Sequence, residues 1–223
     1  MKIERIILLI SLLLIVSAGA AEEELGYGSG QGIAYFERIP EEQLITNSDA
    51  RAFRPDSSTL CILTAEGDTV TFSDSPEIED ISFFSMYTLV ARLQEQDYWI
   101  VQLSGHEWAE YLLVSGRNGS YSRAISVPVA SPDGSRLLCA YRDIIACFVD
   151  NGIQIWRIDP DSLALEYSAL DVGWGPSDAK WVDDTSIVFD MITVDWETWE
   201  THVNAGQIVM TESGCWEELR TED

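Results

Sequence analysis

Lysine and histidine are nearly missing from this chain. Its 223 residues carry 38 acids against 13 Lys and Arg, a formal charge of −25, with only two histidines. The lysines are Lys2 and Lys180. Nucleic-acid binding depends on neutralising phosphates with Lys and Arg, so an acidic field of this strength excludes DNA and RNA as expected partners and leaves basic partners or divalent cations. Motifs that carry chemistry are absent too. His106 opens Ser104-Gly105-His106-Glu107-Trp108-Ala109-Glu110, which lacks the second His of a zinc helix, and His202 has no second His nearby. Ser29 lies without the G-x-S-x-G spacing of a nucleophile elbow. The cysteines form no C-x-x-C pair, which excludes a structural zinc or dithiol redox site. Adjacent acids such as Asp183-Asp184 and Glu217-Glu218 arise by chance in so acidic a chain and mark no general acid and base. Nor does any dozen-residue stretch beyond the N-terminus hold a 3.6-residue period, which disfavours a parallel α/β sheet.

What is present begins with an export signal. Lys2 and Arg5 precede an apolar run from Ile6 to Val16, and Ala18 and Ala20 supply an A-x-A site ahead of three glutamates. The run is shorter than the roughly 20 residues a bilayer needs, so cleavage after residue 20 is expected, with no stable membrane span afterwards. The product is expected in a bacterial periplasm or secreted. Residues 21–52 read as a leader with Gly26, Gly28, Gly30 and Gly32, a possible first strand over Ile33 to Ile39, and a short helical turn at Pro40 to Leu44.

From Phe53 to the C-terminus the pattern is β. Short apolar or alternating runs at Leu60 to Thr64, Thr69 to Phe72, Tyr87 to Leu93, Tyr98 to Leu103, Tyr111 to Val114 and Tyr121 to Val127 are separated by turn residues. Asn118-Gly119-Ser120 matches a glycosylation sequon, but Asn-Gly is also the strongest hairpin signal, and it is read as a turn. The stretch Val127 to Asp159 predicts three strands, Arg136 to Tyr141, Ile144 to Val149 and Ile153 to Ile158, joined by Ser131-Pro132-Asp133-Gly134 and Asp150-Asn151-Gly152 turns. Leu138, Ile145, Phe148, Ile155, Trp156, Val188 and Phe189 are the expected core.

Turn-plus-strand units recur. Phe53-Arg54-Pro55-Asp56-Ser57-Ser58-Thr59-Leu60 aligns with Ala130 to Leu137, and Trp181 to Phe189 is a weaker copy, while Leu89 to Leu103 is a hairpin lacking the Pro-Asp turn. At these residues the chain resembles the TolB-type and WD-like β-propeller repeats of exported bacterial proteins, most closely over Ala130 to Tyr141 and Ile153 to Asp159. The resemblance implies four-stranded blades and a protein-binding role. Its length leaves room for about four blades where TolB-type propellers have six. The expected fold is all-β, a small propeller-like array of about four blades over residues 53–223. A β-sandwich or an open partial propeller is the alternative.

Four cysteines bound for an oxidising compartment are expected in disulfides, with three pairings open. A three-residue hairpin around Asp143 would set Cys139 opposite Cys147, leaving Cys61 and Cys215 to tie the first strands to the last. The alternative is four free thiols. Exposed turn tryptophans, Trp108, Trp174 and Trp199, are the expected binding anchors for a basic protein partner. No cofactor is required. Calcium is the one cation that the Asp150-Asn151-Gly152 and Asp159-Pro160-Asp161 turns could take, although neither fits the twelve-residue loop. The expected role is a non-enzymatic binding or scaffold module. An envelope hydrolase or lyase using channel carboxylates, or a self-assembling structural protein, are the other classes.

Overall fold

The computed structural model describes residues 39–75, 84–170 and 172–220. The expected export signal, the Gly-rich leader and nearly all of the expected strand over Ile33 to Ile39 lie outside the described residues. The helical turn is present as α1 (Glu41–Thr46). Among the described residues every strand after it pairs antiparallel.

Four sheets follow one another along the chain, each a meander in which sequence neighbours pair. The first is β1 (Ala52–Asp56), β2 (Thr59–Leu63) and β3 (Thr69–Ser73); the second is β4 (Met86–Leu93), β5 (Tyr98–Ser104), β6 (Ala109–Ser115) and β7 (Tyr121–Ala124). The third comprises β8 (Val129–Ala130), β9 (Arg136–Tyr141), β10 (Gly152–Ile158) and β11 (Leu163–Leu170), and the fourth β12 (Gly175–Asp183), β13 (Ser186–Val194), β14 (Thr201–Met210) and β15 (Trp216–Arg220). None closes into a barrel. The chain is thus all-β as expected, in four antiparallel sheets of three or four strands.

Three apolar clusters hold the four sheets together. Ala52, Leu60, Ile62 and Phe72 of the first sheet meet Trp99, Val101, Leu112 and Val114 of the second. The opposite face of that second sheet, through Tyr98, Ile100 and Leu113, meets Leu137, Cys139 and Trp156 of the third. Leu138, Ala140, Ile153 and Ile155 then turn to Ile187, Phe189, Met191, Ile208 and Trp216 of the fourth. Successive side chains on a strand point to opposite faces, so strands in a sheet covered on both sides read as continuous apolar runs. That is why Tyr98-Trp99-Ile100-Val101 and Leu137-Leu138-Cys139-Ala140 are buried residue after residue. By contrast, β3 alternates, with Phe72 buried between exposed Thr71 and Ser73. No cluster among the described residues joins the first sheet to the fourth. The stack is open.

A meander sends alternate turns to opposite ends. Hydrogen bonds between neighbouring turns give the sheets a common orientation: Ala65 N–H to Gly116 O (2.8 Å), Asn118 Nδ2–H to Asp161 O (2.9 Å) and Asp133 N–H to Asp184 Oδ1 (2.8 Å). One end therefore gathers the β2–β3, β4–β5, β6–β7, β8–β9, β10–β11 and β12–β13 turns. The far end gathers β1–β2, β5–β6, β9–β10 and β13–β14.

Several expectations need correction. Ile144 to Val149 is not a strand; it lies in the 142–151 loop, where the Asp143 carboxylate accepts the Ala146, Phe148 and Val149 N–H groups (3.2, 2.7 and 3.1 Å). Those bonds satisfy the backbone locally, and Ile145 and Phe148 stand 67% and 46% exposed instead of forming core. Without the hairpin, Cys139 faces Gln154 across the β9–β10 pair and cannot oppose Cys147. All four cysteines are free: Cys61 and Cys139 buried, Cys147 and Cys215 exposed. The expected Cys61–Cys215 tie is absent because the two sit on opposite end sheets.

The turn repeats match in chemistry but not all in position. Asp56, Asp133 and Asp183 each accept, through Oδ1, the N–H and hydroxyl of the residue two places on, at 2.8–3.0 Å. These bonds favour the ionised carboxyl and hold Asp56 and Asp183 below the usual carboxylate range; Asp133 is held down first by the Ser131 hydroxyl, donating at 2.7 Å, and then by the Ser135 bonds. Yet Asp56 is at the far end, whereas Asp133 and Asp183 are at the near one. β1, β2 and β3 run in the directions of β5, β6 and β7, so among the described residues the first sheet has no counterpart of the strand that opens each of the others.

Candidate functional site: a cleft at the turn end

The near end of the stack holds an open cleft of about 1160 Å³, walled by turns of the first three sheets and by α1. Gln94 to Asp97 of the β4–β5 turn and Ser131 to Gly134 of the β8–β9 turn flank it. Arg117 and Asp159 close it along the β6–β7 and β10–β11 turns, and Gln43 and Asn47 reach in from α1.

Local bonds fix these walls. Glu41, at the start of α1, accepts Arg54 Nε (3.0 Å) and the Leu89 N–H (2.8 Å), so its carboxylate pins the helix to the first two sheets. Asp97 has φ +51°, and its carboxylate takes both Nη1 and Nη2 of Arg51 (2.9 and 3.2 Å). Arg51 also donates to the Gly116 carbonyl. A Cβ at Gly116 would overlap the Asp97 carboxylate, which is why that turn carries glycine. Behind it the Arg92 guanidinium lies 4.3 Å from the Trp99 ring centroid, a cation–π contact that holds the arginine against the floor. The Asn118 turn forms as expected: Oδ1 accepts the Ser120 N–H (3.0 Å) and hydroxyl (2.8 Å), with Gly119 at φ +76°.

Polar and apolar groups share the cleft lining about equally, and its charges lean acidic. Glu95, Asp97, Asp133 and Asp159 line it against Arg92 and Arg117. Asp159 is bound to Arg157 Nε (2.8 Å) and Nη2 (3.1 Å), which holds its carboxyl below the usual range. Burial, reinforced by the Asp159 charge, pushes the Tyr98 phenol in the floor upward. Six described acids have shifted titrations, Asp56, Asp133, Asp159, Glu166, Asp183 and Asp195, and all move down. They serve as fixed charges and acceptors.

None of the three tryptophans expected as anchors enters this cleft. Trp174 is a correction: only 2% exposed, it stacks on Phe189 (5.2 Å, 18°) inside the third cluster. It precedes β12 at the point where that strand enters between the third and fourth sheets, and Asn151 Nδ2 holds its carbonyl. Trp108 is 37% exposed at the far end, folded over Gly105 of its own turn. Trp199 is 65% exposed, also at the far end, and meets Trp196 edge-to-face (5.6 Å, 83°). Those two share a turn in which Asp195 Oδ1 accepts the Glu197 and Thr198 N–H groups.

Three of the side chains considered for calcium have protein partners: Asn151 Oδ1 accepts the Asp143 N–H (3.2 Å), Asp159 is bound to Arg157, and Asp161 pairs with Arg117 (3.0 Å). Among the described residues no group of three His, Cys, Asp or Glu side chains is placed to hold a metal, and no helix is long and apolar enough to cross a membrane. Compared with family models, curated proteins and solved structures, the chain gives no match.

The cleft residues were visible in the sequence as turns. Their convergence was not, because it depends on which end each turn reaches, and that follows from strand parity across all four sheets.

Proposed function

We propose that the chain is an exported, non-enzymatic binding module that holds a basic segment of a partner protein in the turn-end cleft. The cleft itself carries this reading. At about 1160 Å³ it exceeds the usual small-molecule pocket of roughly 300–1,000 Å³ and suits a peptide segment. Gln43, Asn47, Gln94 and Gln96 offer amides that can pair with a main chain, and the carboxylates among them favour cationic side chains. A chain charge of −25 speeds encounter with such a partner. The downward shifts of the acids support a role as ionised acceptors over one as proton donors.

The test is fluorescence anisotropy with a labelled Lys-rich peptide and a Glu-rich peptide of equal length. The Lys-rich peptide is expected to bind, with affinity falling as salt rises. Glu95→Lys, on an exposed cleft residue, is expected to weaken it about tenfold, equivalent to about 1.4 kcal/mol. Equal binding of the two peptides, or an unchanged affinity for Glu95→Lys, refutes the reading. Export is tested separately, by whether the protein released from a bacterial host begins at Ala21.

A further inference from the structure

Trp196 and Trp199 are the two most exposed of the chain's eight tryptophans, at 55% and 65%, and they stand together on the β13–β14 turn. Their ring centroids lie 5.6 Å apart at an interplanar angle of 83°. Two indole faces set nearly at a right angle make the walls of a corner that opens to solvent. Apolar residues scattered singly on a surface are ordinary; two adjacent exposed indoles are not.

The backbone shows that the rings are displayed and not packed. Trp199 has φ +61°, the left-handed region that bulky side chains avoid and glycine or asparagine usually takes. Among the described residues no other aromatic has a positive φ. The turn holds it there: Asp195 Oδ1 accepts the Glu197 (2.8 Å) and Thr198 (3.2 Å) N–H groups, the Asp195 carbonyl accepts the Trp199 N–H (2.7 Å), and the Glu200 carbonyl accepts the Asp195 N–H (2.9 Å). A ring left largely in solvent gains little packing to offset this strain. Strain kept in place by its surroundings is characteristic of binding positions.

Charge selects the ligand. Asp195, Glu197 and Glu200 lie on the same turn, and the sequence has no Lys or Arg between Lys180 and Arg220. None of these three carboxylates is in an ion pair among the described residues, although His202 bears on the Asp195 charge. An indole face attracts cations through its quadrupole, and aromatic walls suit a cation whose charge is spread over methyl groups. A primary ammonium is strongly hydrated and asks for hydrogen-bond acceptors instead.

We propose that Trp196 and Trp199, with the Glu197 and Glu200 carboxylates beside them, form a site for a quaternary ammonium group. It lies at the far end of the stack and does not depend on the peptide reading of the cleft.

NMR of the eight indole N–H resonances of the exported chain tests it, as choline chloride replaces sodium chloride. Two of the eight are expected to shift, with half-saturation in the low millimolar range. The uncharged isostere 3,3-dimethylbutanol should bind at least about tenfold more weakly. Trp199→Gly suits the left-handed backbone, so it should unfold at or above the wild-type midpoint while its choline affinity falls at least about tenfold. Replacing Glu197 and Glu200 together by Gln should weaken choline about threefold. Vesicles of phosphatidylcholine separate the sources: sedimentation of the chain with them, reversed by free choline, assigns the group to a lipid headgroup, and no sedimentation assigns it to a free ligand. No indole shift at about 50 mM choline overturns the proposal. So does an equal response to the isostere, or a choline response unchanged in Trp199→Gly.

Discussion

Glu166 on β11 is the carboxylate on which the third and fourth sheets are locked together, and removing it should be felt in a calculable way. Its Oε2 accepts Arg136 Nε (2.8 Å) from β9 and Trp216 Nε1 (3.1 Å) from β15, and its Oε1 accepts Arg157 Nη1 (3.0 Å) from β10. The Glu166 and Arg136 side chains are 13% and 17% exposed, so the pair is largely shielded. Removing one partner of a buried pair typically costs 3–5 kcal/mol, and this pair, short of full burial, should sit near 3 kcal/mol. Arg157 is 46% exposed and adds little. For a domain of this size about 3 kcal/mol lowers Tm by about 9 °C. Glu166→Ala should show that loss in urea unfolding followed by tryptophan fluorescence, and Glu166→Gln, which keeps shape and an acceptor, about half of it. Burial pushes the carboxyl up, but the Arg136, Trp216 and Arg157 bonds outweigh it and leave the folded-state value below 4.5. A lowered folded value means the stabilisation is complete above the unfolded value and is lost as pH falls through the folded one. The gap between wild type and Glu166→Gln should therefore hold constant down to about pH 5 and narrow below it. A Gln variant as stable as wild type at neutral pH, or a gap unchanged in acid, would refute the assignment.

Other substitutions separate core from surface. Trp174→Ala should cost about 3–5 kcal/mol in the same unfolding assay, while Trp199→Ala should cost less than about 1, because one ring fills the third cluster and the other faces solvent. Gly152 has φ +145°, and a Cβ there would overlap the Ala169 carbonyl; Gly152→Ala should destabilise by about 2 kcal/mol or more, measured as a shift in denaturation midpoint. Cys147 and Cys215 should react quickly with a thiol reagent in the native state. Burial pushes the Cys139 thiol up to about 12, so Cys139, together with buried Cys61, should react only on unfolding; rapid modification of all four would contradict the fold.

The strands themselves were legible because their causes are local. Alternation and apolar runs placed β2 to β6 within about two residues, and Asp, Asn and Gly placed the turns. Alternating Thr-Val-Thr-Phe-Ser lies in an end sheet and unbroken Leu-Leu-Cys-Ala in an inner one, but β2 of an end sheet buries Leu60, Cys61 and Ile62 in succession, so the run alone does not place a strand in the stack. The 142–151 loop was misread because Ile144, Ile145, Phe148 and Val149 carry the composition of a strand, and only the Asp143 carboxylate, capping three N–H groups, makes a loop the better structure.

What the sequence settled by itself was the chemistry of short range: an acidic, lysine-poor, all-β chain with turns in known places. Only the tertiary structure decided which residues meet. Trp174 looks from its Gly-Trp-Gly context like an exposed anchor, yet the entry of β12 between two sheets buries it. Cys139 and Cys147 are near in sequence and apart in space. The cleft collects residues more than a hundred positions apart, Asn47 and Asp159 among them, because its shape depends on the parity of every strand between them and no local signal carries that count.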